Sequence, residues 1–303
     1  MSIQPLVRRL LTAAVSLALV GAAASATAGP AIATPAAPED GAPAAVVRGT
    51  ASPAASASAK AHVPTGYDIS WPNCPKGMGI PSRPTLGNPM PKASTDFVVI
   101  GLTNGPGFYP NPCLQKQVDW AKKHHVWTAP YAFMTYPTAK QLKKYGSKGP
   151  YEGTSKTTRL RNAGYAEAMF NVASMKRVDL EASFIWVDVE YSRAPAPWSK
   201  SRKHNKAALD GALRAYRDAG LTYGFYASID PWQHLVGKAR YKAPEWRTVG
   251  PAKKSTALAK CRTRSVQGGK VVLAQWWNTK SDFDVVCPGF RTDEQMATYF
   301  HRY

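Results

Sequence analysis

The sequence predicts an α/β fold, a TIM-like (β/α) barrel with an irregular C-terminal half, and three observations predict it. About 240 residues follow position 62, a length that suits one barrel domain. In that part, apolar strand-like segments alternate with segments of helical spacing, which is typical of a mostly parallel sheet covered on both faces. Seven strands are clear and an eighth at 245–250 is a candidate, which is enough to close a barrel.

The N-terminus has the pattern of a secretory signal peptide over residues 1–28. Arg8 and Arg9 precede the apolar run LLTAAVSLALVGAAASA, and ATA at 26–28 offers small residues for cleavage. The apolar run is short and wrongly flanked for a stable membrane span. We therefore expect a secreted, extracellular protein, in the medium or at the cell wall, with no membrane attachment after cleavage. The paired arginines leave open whether export follows the general or the twin-arginine route.

Residues 29–62 are predicted to be a disordered linker. Ala, Pro and Ser dominate this stretch, so it cannot bury enough apolar surface to offset the entropy lost on ordering. Residues 63–303 show no second linker and no internal repeat. They are expected to form the barrel domain.

Period-2 and period-3.6 patterns place the elements of that domain. The predicted strands are 65–71, 96–103, 126–137, 182–190, 221–228, 270–278 and 282–287, with 245–250 as the candidate eighth. The predicted helices are 111–125, 154–177, 204–220, a short turn at 231–237, and 292–300. The stretch 238–267 is basic and polar, and apart from the candidate strand it has no readable period.

The strand FIWVDVE, residues 184–190, ends in two carboxylates. Alternation puts Trp186, Asp188 and Glu190 on one face, while the residues between them can pack under helices. In a barrel the C-terminal end of such a strand opens into the active-site mouth. Mutual repulsion and the apolar Trp186 should raise the pKa of one of the two acids. The protonated acid could then donate to a leaving oxygen while its ionised neighbour stabilises developing positive charge, which are the two roles that glycosidic bond cleavage needs. The alternative is that both acids only pair with nearby Lys and Arg residues.

Other strand ends carry further acids and many aromatic residues. Asp68 ends the first strand, and Asp282 and Asp284 flank the last, so closure of the sheet would make these strands neighbours. Flat aromatic rings can stack on the C–H faces of sugars, although each can equally be a core residue. The aromatics at these ends are Tyr67, Trp71, Tyr131, Phe133, Tyr136, Tyr191, Tyr226, Trp276 and Trp277.

The order of these motifs resembles a known family. GYDISW, FVVIGLTNG, PYAF, WVDVE, YGFYAS, VLAQWW and DFDVV, in that order, are similar to the glycoside hydrolase family 25 lysozymes. Those are barrel N-acetylmuramidases that cut the MurNAc-β-1,4-GlcNAc bond of peptidoglycan. DISWPNC, NPC and DFDVVC resemble a secreted actinobacterial subgroup more closely still. The resemblance covers about residues 65–290.

The resemblance implies roles for individual residues. Glu190 matches the general acid, Asp188 its partner and Asp68 the first-strand acid, while the last-strand acid matches Asp284 or, as the alternative, Asp282. The predicted substrate contacts are Trp71, Tyr131, Phe133, Trp186, Tyr226, Gln275 and Trp277. Three departures stand out: Ala132 replaces a frequent His, the WIA signature of strand six is not evident in 238–267, and basic insertions occur at 140–161 and 238–264. A non-catalytic module that binds cell-wall carbohydrate on the same barrel is therefore the alternative function.

Charge indicates the kind of partner. The chain has 39 basic and 19 acidic residues, a net charge of +20, of which +18 falls after residue 60. Such a cation is drawn to anionic polymers, and for an exported protein peptidoglycan or another anionic cell-wall polysaccharide is the expected partner. The charge can also serve solubility alone. A specific nucleic-acid partner would rest on charge only, so none is predicted, and we expect a monomer.

Four cysteines, Cys74, Cys113, Cys261 and Cys287, predict two disulfides in an exported chain. Three pairings are possible, and Cys74–Cys113 with Cys261–Cys287 is the most local one. No Cys-x-x-Cys or His-x-x-x-His spacing, nucleotide-binding glycine motif or Gly-x-Ser-x-Gly elbow occurs. We therefore expect no metal and no cofactor.

Overall fold

A computed structural model describes residues 62–105, 107–192 and 197–303. The predicted signal peptide, and all of the predicted linker except residue 62, lie outside the described residues. The strands are β1 (Thr65–Ile69), β2 (Gly79–Ile80), β3 (Arg83–Pro84), β4 (Phe97–Gly101), β5 (Trp127–Phe133), β6 (Phe184–Asp188), β7 (Thr222–Tyr226), β8 (Glu245–Pro251), β9 (Val271–Trp277), β10 (Asp282–Val286) and β11 (His301–Arg302).

The helices surround these strands. They are α1 (Leu114–His124), α2 (Ala139–Tyr145), α3 (Lys156–Arg177), α4 (Arg202–Asp218), α5 (Ile229–Leu235), α6 (Lys254–Lys260) and α7 (Asp293–Ala297), and a 3₁₀ turn spans Trp71–Asn73. Within the described part of the chain, no helix is long and apolar enough to cross a membrane.

Eight strands close a barrel in the order β1-β4-β5-β6-β7-β8-β9-β10, and β10 pairs back with β1. All pairs are parallel except the two that involve β10, which runs antiparallel to both β9 and β1. The short strand β11 pairs with the first residues of β5, before β5 meets β6. The predicted TIM-like fold is confirmed, including the candidate eighth strand, which is β8.

The direction of β10 decides where its acids lie. Because β10 is antiparallel, its first residue lies level with the last residues of the parallel strands. Asp282 is the register partner of Asp68, whereas Asp284 is the partner of Gly66, two residues deeper in the barrel.

The barrel has an aromatic interior and an aliphatic exterior. Inward-facing Phe184 and Trp186 pack with Phe97 and Trp246, as side chains fill the inside of such barrels. Ile185, on the opposite face of β6, joins a large cluster that contains residues of the surrounding helices. The predicted alternation of faces along β6 is therefore confirmed.

Two helices that the sequence analysis did not predict lie in the basic insertions. The N-cap residue of helix α2 is Thr138. Its hydroxyl accepts a hydrogen bond from the backbone N–H of Gln141 in a reciprocal capping box. The sequence carries this Thr-x-x-Gln signal at 138–141. The helix α6 lies inside the stretch 238–267, where the many charged side chains hide the helical spacing of its apolar residues.

Both disulfides form as the most local pairing predicts. Cys74–Cys113 joins the segment after β1 to the start of α1, across a separation of 39 residues. Cys261–Cys287 joins the end of α6 to the residue after β10. The first of these lies beside the pocket described next.

Candidate active site

A pocket of about 350 Å³ opens at the C-terminal ends of the parallel strands. This volume is within the range of small-molecule sites, about 300–1,000 Å³. The lining residues come from seven of the eight barrel strands and from loops above them. The predicted residues among them are Asp68, Trp71, Tyr131, Phe133, Asp188, Glu190, Tyr226, Gln275 and Trp277. Side chains that are more than 200 positions apart in the chain therefore meet in one cavity.

The two acids of β6 face the pocket from its end. Asp188 is the last residue of the strand and is only 5% exposed, and its Oδ1 has no hydrogen-bond partner among the described residues. Glu190 is half-buried, and its carbonyl oxygen accepts a hydrogen bond of 2.8 Å from Trp198 Nε1. The backbone at Glu190 is thus anchored while its carboxyl faces the cavity. Asp188 lines the pocket, and its buried Oδ1 is left without a partner among the described residues.

A hydrogen-bond chain fixes Asp68 in the floor. Tyr226 donates to Gln275 Oε1 at 2.8 Å, and Gln275 Nε2 donates to Asp68 Oδ2 at 2.8 Å. Below them Trp246 Nε1 donates to Asp284 Oδ1 at 2.6 Å. The other oxygen of Asp284, Oδ2, is buried without a hydrogen-bond partner among the described residues, and the carboxyl of Asp284 is near enough to Asp68 for each to shift the pKa of the other. Gln275, predicted as a substrate contact, therefore also positions an acid.

Burial raises the pKa of both β6 acids, whereas the sequence predicts an upward shift for one of the two. The pKa of Glu190 rises from 4.5 to about 7, because burial and the charge of Asp282 outweigh the lowering effect of Arg83. Burial, followed by the charges of Glu190 and Asp68, raises the pKa of Asp188 well above its ordinary value. At neutral pH the cluster holds protons that exposed carboxyls would have released.

The acids of the first and last strands are shifted in the same direction. Burial raises the pKa of Asp68 to about 6, against the lowering effects of its hydrogen bond to Gln275 and of the neighbouring Asp284 carboxyl. Burial and the charge of Asp68 raise the pKa of Asp282 to about 8. Burial, then the charge of Asp68, raises the pKa of Asp284 well above its ordinary value.

Two of the predicted site residues do not line the pocket. Asp284 is fully buried below the floor, and Asp282 takes the lining position on β10. Trp186 is also fully buried and packs edge-on against Phe184 and Trp246 in the barrel interior. The predicted substrate contact of Trp186 is therefore wrong for this structure. The reason is depth: Trp186 and Asp284 point inward, but each lies two residues too far from the mouth.

The sequence analysis missed two important lining residues, Arg83 and Trp246. Arg83 lies in the β2–β3 hairpin, a loop insertion without a strand-end signal. Trp246 lies on β8, where the inward period of EWRTVG provides a signal once that strand is accepted.

The departure at Ala132 does not alter the pocket. Ala132 is buried on the outer face of β5, within the cluster that contains helix residues, whereas its neighbours Tyr131 and Phe133 line the cavity. The small side chain therefore affects contact with the helical layer and not the site.

The buried Glu167 connects two loops beneath the rim of the pocket by hydrogen bonds. Glu167 on α3 is 1% exposed, and its Oε1 accepts from both the backbone N–H and the hydroxyl of Thr135, each at 3.1 Å. The Thr135 hydroxyl in turn accepts from the Gly107 N–H at 3.2 Å. This chain links α3, the segment after β5 and the loop after β4, which contributes Thr103 and Gly105 to the pocket.

We expect Glu167→Gln to change the pH dependence of stability. Burial raises the pKa of Glu167 from 4.5 to about 8, so between these values the folded state keeps a proton that the unfolded state has lost. The free energy of unfolding should therefore fall as pH rises from about 4.5 to 8, by at most about 1.4 kcal/mol per pH unit from this group. Urea denaturation from pH 5 to 9 should show the Gln variant gaining stability relative to wild type as pH rises. The exposed Glu152→Gln is the control, and parallel curves for wild type and Glu167→Gln would contradict the prediction.

Within residues 62–105, 107–192 and 197–303, no group of three or more His, Cys, Asp or Glu side chains is arranged to hold a metal ion. The arrangement that the pocket does offer is a set of carboxyls with raised pKa values beside aromatic walls. The carboxyls can donate a proton to a leaving oxygen. The aromatic rings can stack on a sugar ring.

Comparison with known proteins identifies the fold. No family model matches the chain, and no curated protein matches it in sequence. Among solved structures, the bacterial lysozyme from Streptomyces coelicolor is similar with a TM-score of 0.51 and 13% identity, over 78% of this chain and 96% of that one. A muramidase from Acremonium alcalophilum is similar with a TM-score of 0.50 and 13% identity, over 78% and 98% of the two chains. A family GH25 lysozyme from Aspergillus fumigatus has a TM-score of 0.48 at 15% identity, over 78% and 99%.

At these identities the similarity establishes a shared fold. The barrel that the motif order implied is confirmed, and it is similar to the folds of a bacterial lysozyme and a muramidase. The actinobacterial subgroup stays a prediction.

Proposed function

We propose that this protein is a secreted glycoside hydrolase that cleaves peptidoglycan as an N-acetylmuramidase, with Glu190 as the general acid. The barrel is the fold of lysozymes and muramidases. The single observation that carries the proposal is the cluster of carboxyls in the pocket, in which the pKa of Glu190 is raised to about 7. A carboxyl with this pKa is protonated in part of the population at neutral pH and can still give its proton away.

The proposed reaction uses the pocket as follows. Glu190 donates its proton to the glycosidic oxygen while the bond from that oxygen to the anomeric carbon breaks. The oxygen of a water molecule then bonds to the anomeric carbon, and the water's proton restores Glu190 or leaves to solvent. Asp188, whose Oδ1 lacks a partner among the described residues, orients a polar group of the reacting sugar.

The remaining lining residues bind the glycan in this proposal. Asp68 and Gln275 form a fixed polar floor that can bind sugar hydroxyls. Trp71, Tyr131, Phe133, Tyr226 and Trp277 are the aromatic walls. Asp282 takes the place assigned from the sequence to Asp284, which supports Asp68 from below.

Digestion of purified cell walls tests the proposal. We expect the secreted protein, added to insoluble peptidoglycan, to lower turbidity and release new reducing ends. Borohydride reduction and mass spectrometry of the products should identify reduced N-acetylmuramic acid at those ends. New ends that carry only N-acetylglucosamine would assign a different bond, and no release at any pH would contradict hydrolysis.

Activity should fall as pH rises through about 7. Glu190 acts only when it is protonated, and its pKa of about 7 sets the point at which half of the molecules lose that proton. The value of kcat/KM, which reports the pKa of the free enzyme, should therefore drop about tenfold for each pH unit above that point. A rate profile from pH 4 to 9 on soluble glycan strands checks this, and a rate that keeps rising to pH 9 would contradict Glu190 as the acid.

Wall binding without catalysis is the second candidate, and the net charge of +18 after residue 60 favours it. Attraction of this kind is screened by salt, so a binding module should sediment with insoluble wall at low salt and be released as ionic strength rises. Sedimentation that is equal for wild type and Glu190→Gln, together with no release of reducing ends, would favour this candidate.

A further inference from the structure

We propose that Arg83 forms an anion-binding subsite in the pocket, and that the group it binds is the free lactyl carboxylate of a muramic-acid unit in the substrate glycan. The inference rests on the proposed function, because it names the form of peptidoglycan that the same pocket prefers. That form is glycan whose lactyl carboxyls are not amide-linked to peptide.

Arg83 is the cationic member of an otherwise acidic pocket. It lies in the hairpin β2–β3, outside the barrel, and reaches the lining together with Asp68, Asp188, Glu190 and Asp282. Among the lining residues that the structure describes, no other is Lys or Arg. One fixed positive charge therefore faces whatever enters the site.

Among the described residues, the guanidinium of Arg83 has no hydrogen-bond or ion-pair acceptor. In the part of the chain that the structure describes, it donates no hydrogen bond, and no carboxylate lies within ion-pair distance of it. Its contact is with the ring of Phe133, 5.9 Å from the guanidinium carbon to the ring centroid. An arginine fork has five N–H donors and matches the two oxygens of a carboxylate. A half-buried fork left open toward a cavity is available for a ligand.

The hairpin holds Arg83 in place before any ligand binds. Asn104, which is fully buried, accepts from the Ile80 N–H at 2.7 Å and donates to the Arg83 carbonyl oxygen at 3.2 Å. Gly105 leaves the slot for the side chain, since a Cβ at that position would lie 2.5 Å from an Arg83 guanidinium nitrogen. A side chain held in this way loses little entropy when it binds, and preorganisation of this kind raises affinity.

The chemistry of the substrate selects the ligand. In peptidoglycan the sugar itself carries an acid only on the lactyl ether of muramic acid, and that acid is neutral when it is joined to peptide by an amide bond. A bidentate, charge-assisted pair with Arg83 needs the free carboxylate. Arg83 also affects the acid: its positive charge lowers the pKa of Glu190. Arg83 is thus expected to influence both binding and the pH range of turnover.

Steady-state kinetics on two matched substrates test the inference. The first is peptide-free glycan strands with free lactyl carboxylates, and the second is the same strands with those carboxyls converted to methylamides. We expect Arg83→Gln to raise KM roughly tenfold on the first substrate and less than twofold on the second, since a hydrogen-bonded charged pair is lost only on the first. Arg83→Lys should lie between the two, because it keeps the charge and loses the fork. Lys76→Gln, an exposed residue of the same segment outside the pocket, is the control for charge.

The pH profile gives a second readout that a purely structural role would not move. Without the cation, the pKa of Glu190 should rise, so the alkaline fall in rate should shift to higher pH in Arg83→Gln and stay in place in Arg83→Lys. Equal KM changes on both substrates, or none on either, would overturn the subsite. If wild type hydrolyses neither substrate nor whole walls, the proposed function fails instead. If Arg83→Gln does not fold, the Arg83→Lys comparison on the two substrates decides the question alone.

Discussion

Replacing Glu190 with Gln is expected to lower kcat for wall hydrolysis by about 10²- to 10⁴-fold, the usual contribution of a positioned general acid. Gln has nearly the same shape, and it keeps a polar group in the pocket, but it has no proton to give to the leaving oxygen. The fold should not depend on the charge, because Glu190 is half-buried and its backbone is held by Trp198. Binding of glycan should therefore survive, and KM should change little.

Release of reducing ends from purified walls measures this effect, with thermal unfolding as the check on folding. Glu181→Gln is the matched control: Glu181 is exposed, and it lies just before β6 at the opposite end of the barrel from the pocket. The control should digest walls at the wild-type rate. Glu190→Gln turnover within a factor of two of wild type would remove Glu190 from the role of acid and leave wall binding as the stronger candidate.

Removing the disulfide Cys74–Cys113 by the double change Cys74→Ser and Cys113→Ser should destabilise the protein by about 3–4 kcal/mol. The bond closes a loop across 39 residues, so its loss frees the unfolded chain. It should also lower activity, because this loop contains the hairpin with Arg83 and begins directly after the 3₁₀ turn with Trp71, and both residues line the pocket. Urea denaturation measures the first effect, and glycan hydrolysis well below the unfolding transition measures the second.

The second disulfide provides the comparison. Cys261–Cys287 closes a loop across 26 residues, at the end of β10 away from Asp282. The double change Cys261→Ser and Cys287→Ser should therefore cost similar stability and leave KM for glycan close to the wild-type value. Equal losses of affinity in both double variants would mean that Cys74–Cys113 has no special role at the pocket rim.

Local patterns were enough to predict most of the fold. The apolar run before Asp188 and the helical spacing of 111–125 and 204–220 each depend on residues that are close in the chain, where periodicity is a direct consequence of backbone geometry. The same logic placed Asp188 and Glu190 on one face, with Trp186. It did not find the hairpin that contains Arg83 or the helix α6, because short elements in polar insertions leave no apolar stripe.

The sequence by itself determined the alternation of strands and helices, the even cysteine set, the basic charge and the identity of the acids at the strand ends. Only the tertiary structure decided which of those acids reach the cavity. The antiparallel direction of β10 puts Asp282 at the mouth beside Asp68 and places Asp284 two residues below, where it is fully buried. Depth inside a barrel depends on the register between strands far apart in the chain, and side-chain alternation along one strand specifies the face without specifying the depth. For the same reason Trp186, on the correct face of β6, became part of the core, while Arg83 reached the site from a loop that no strand pattern marks.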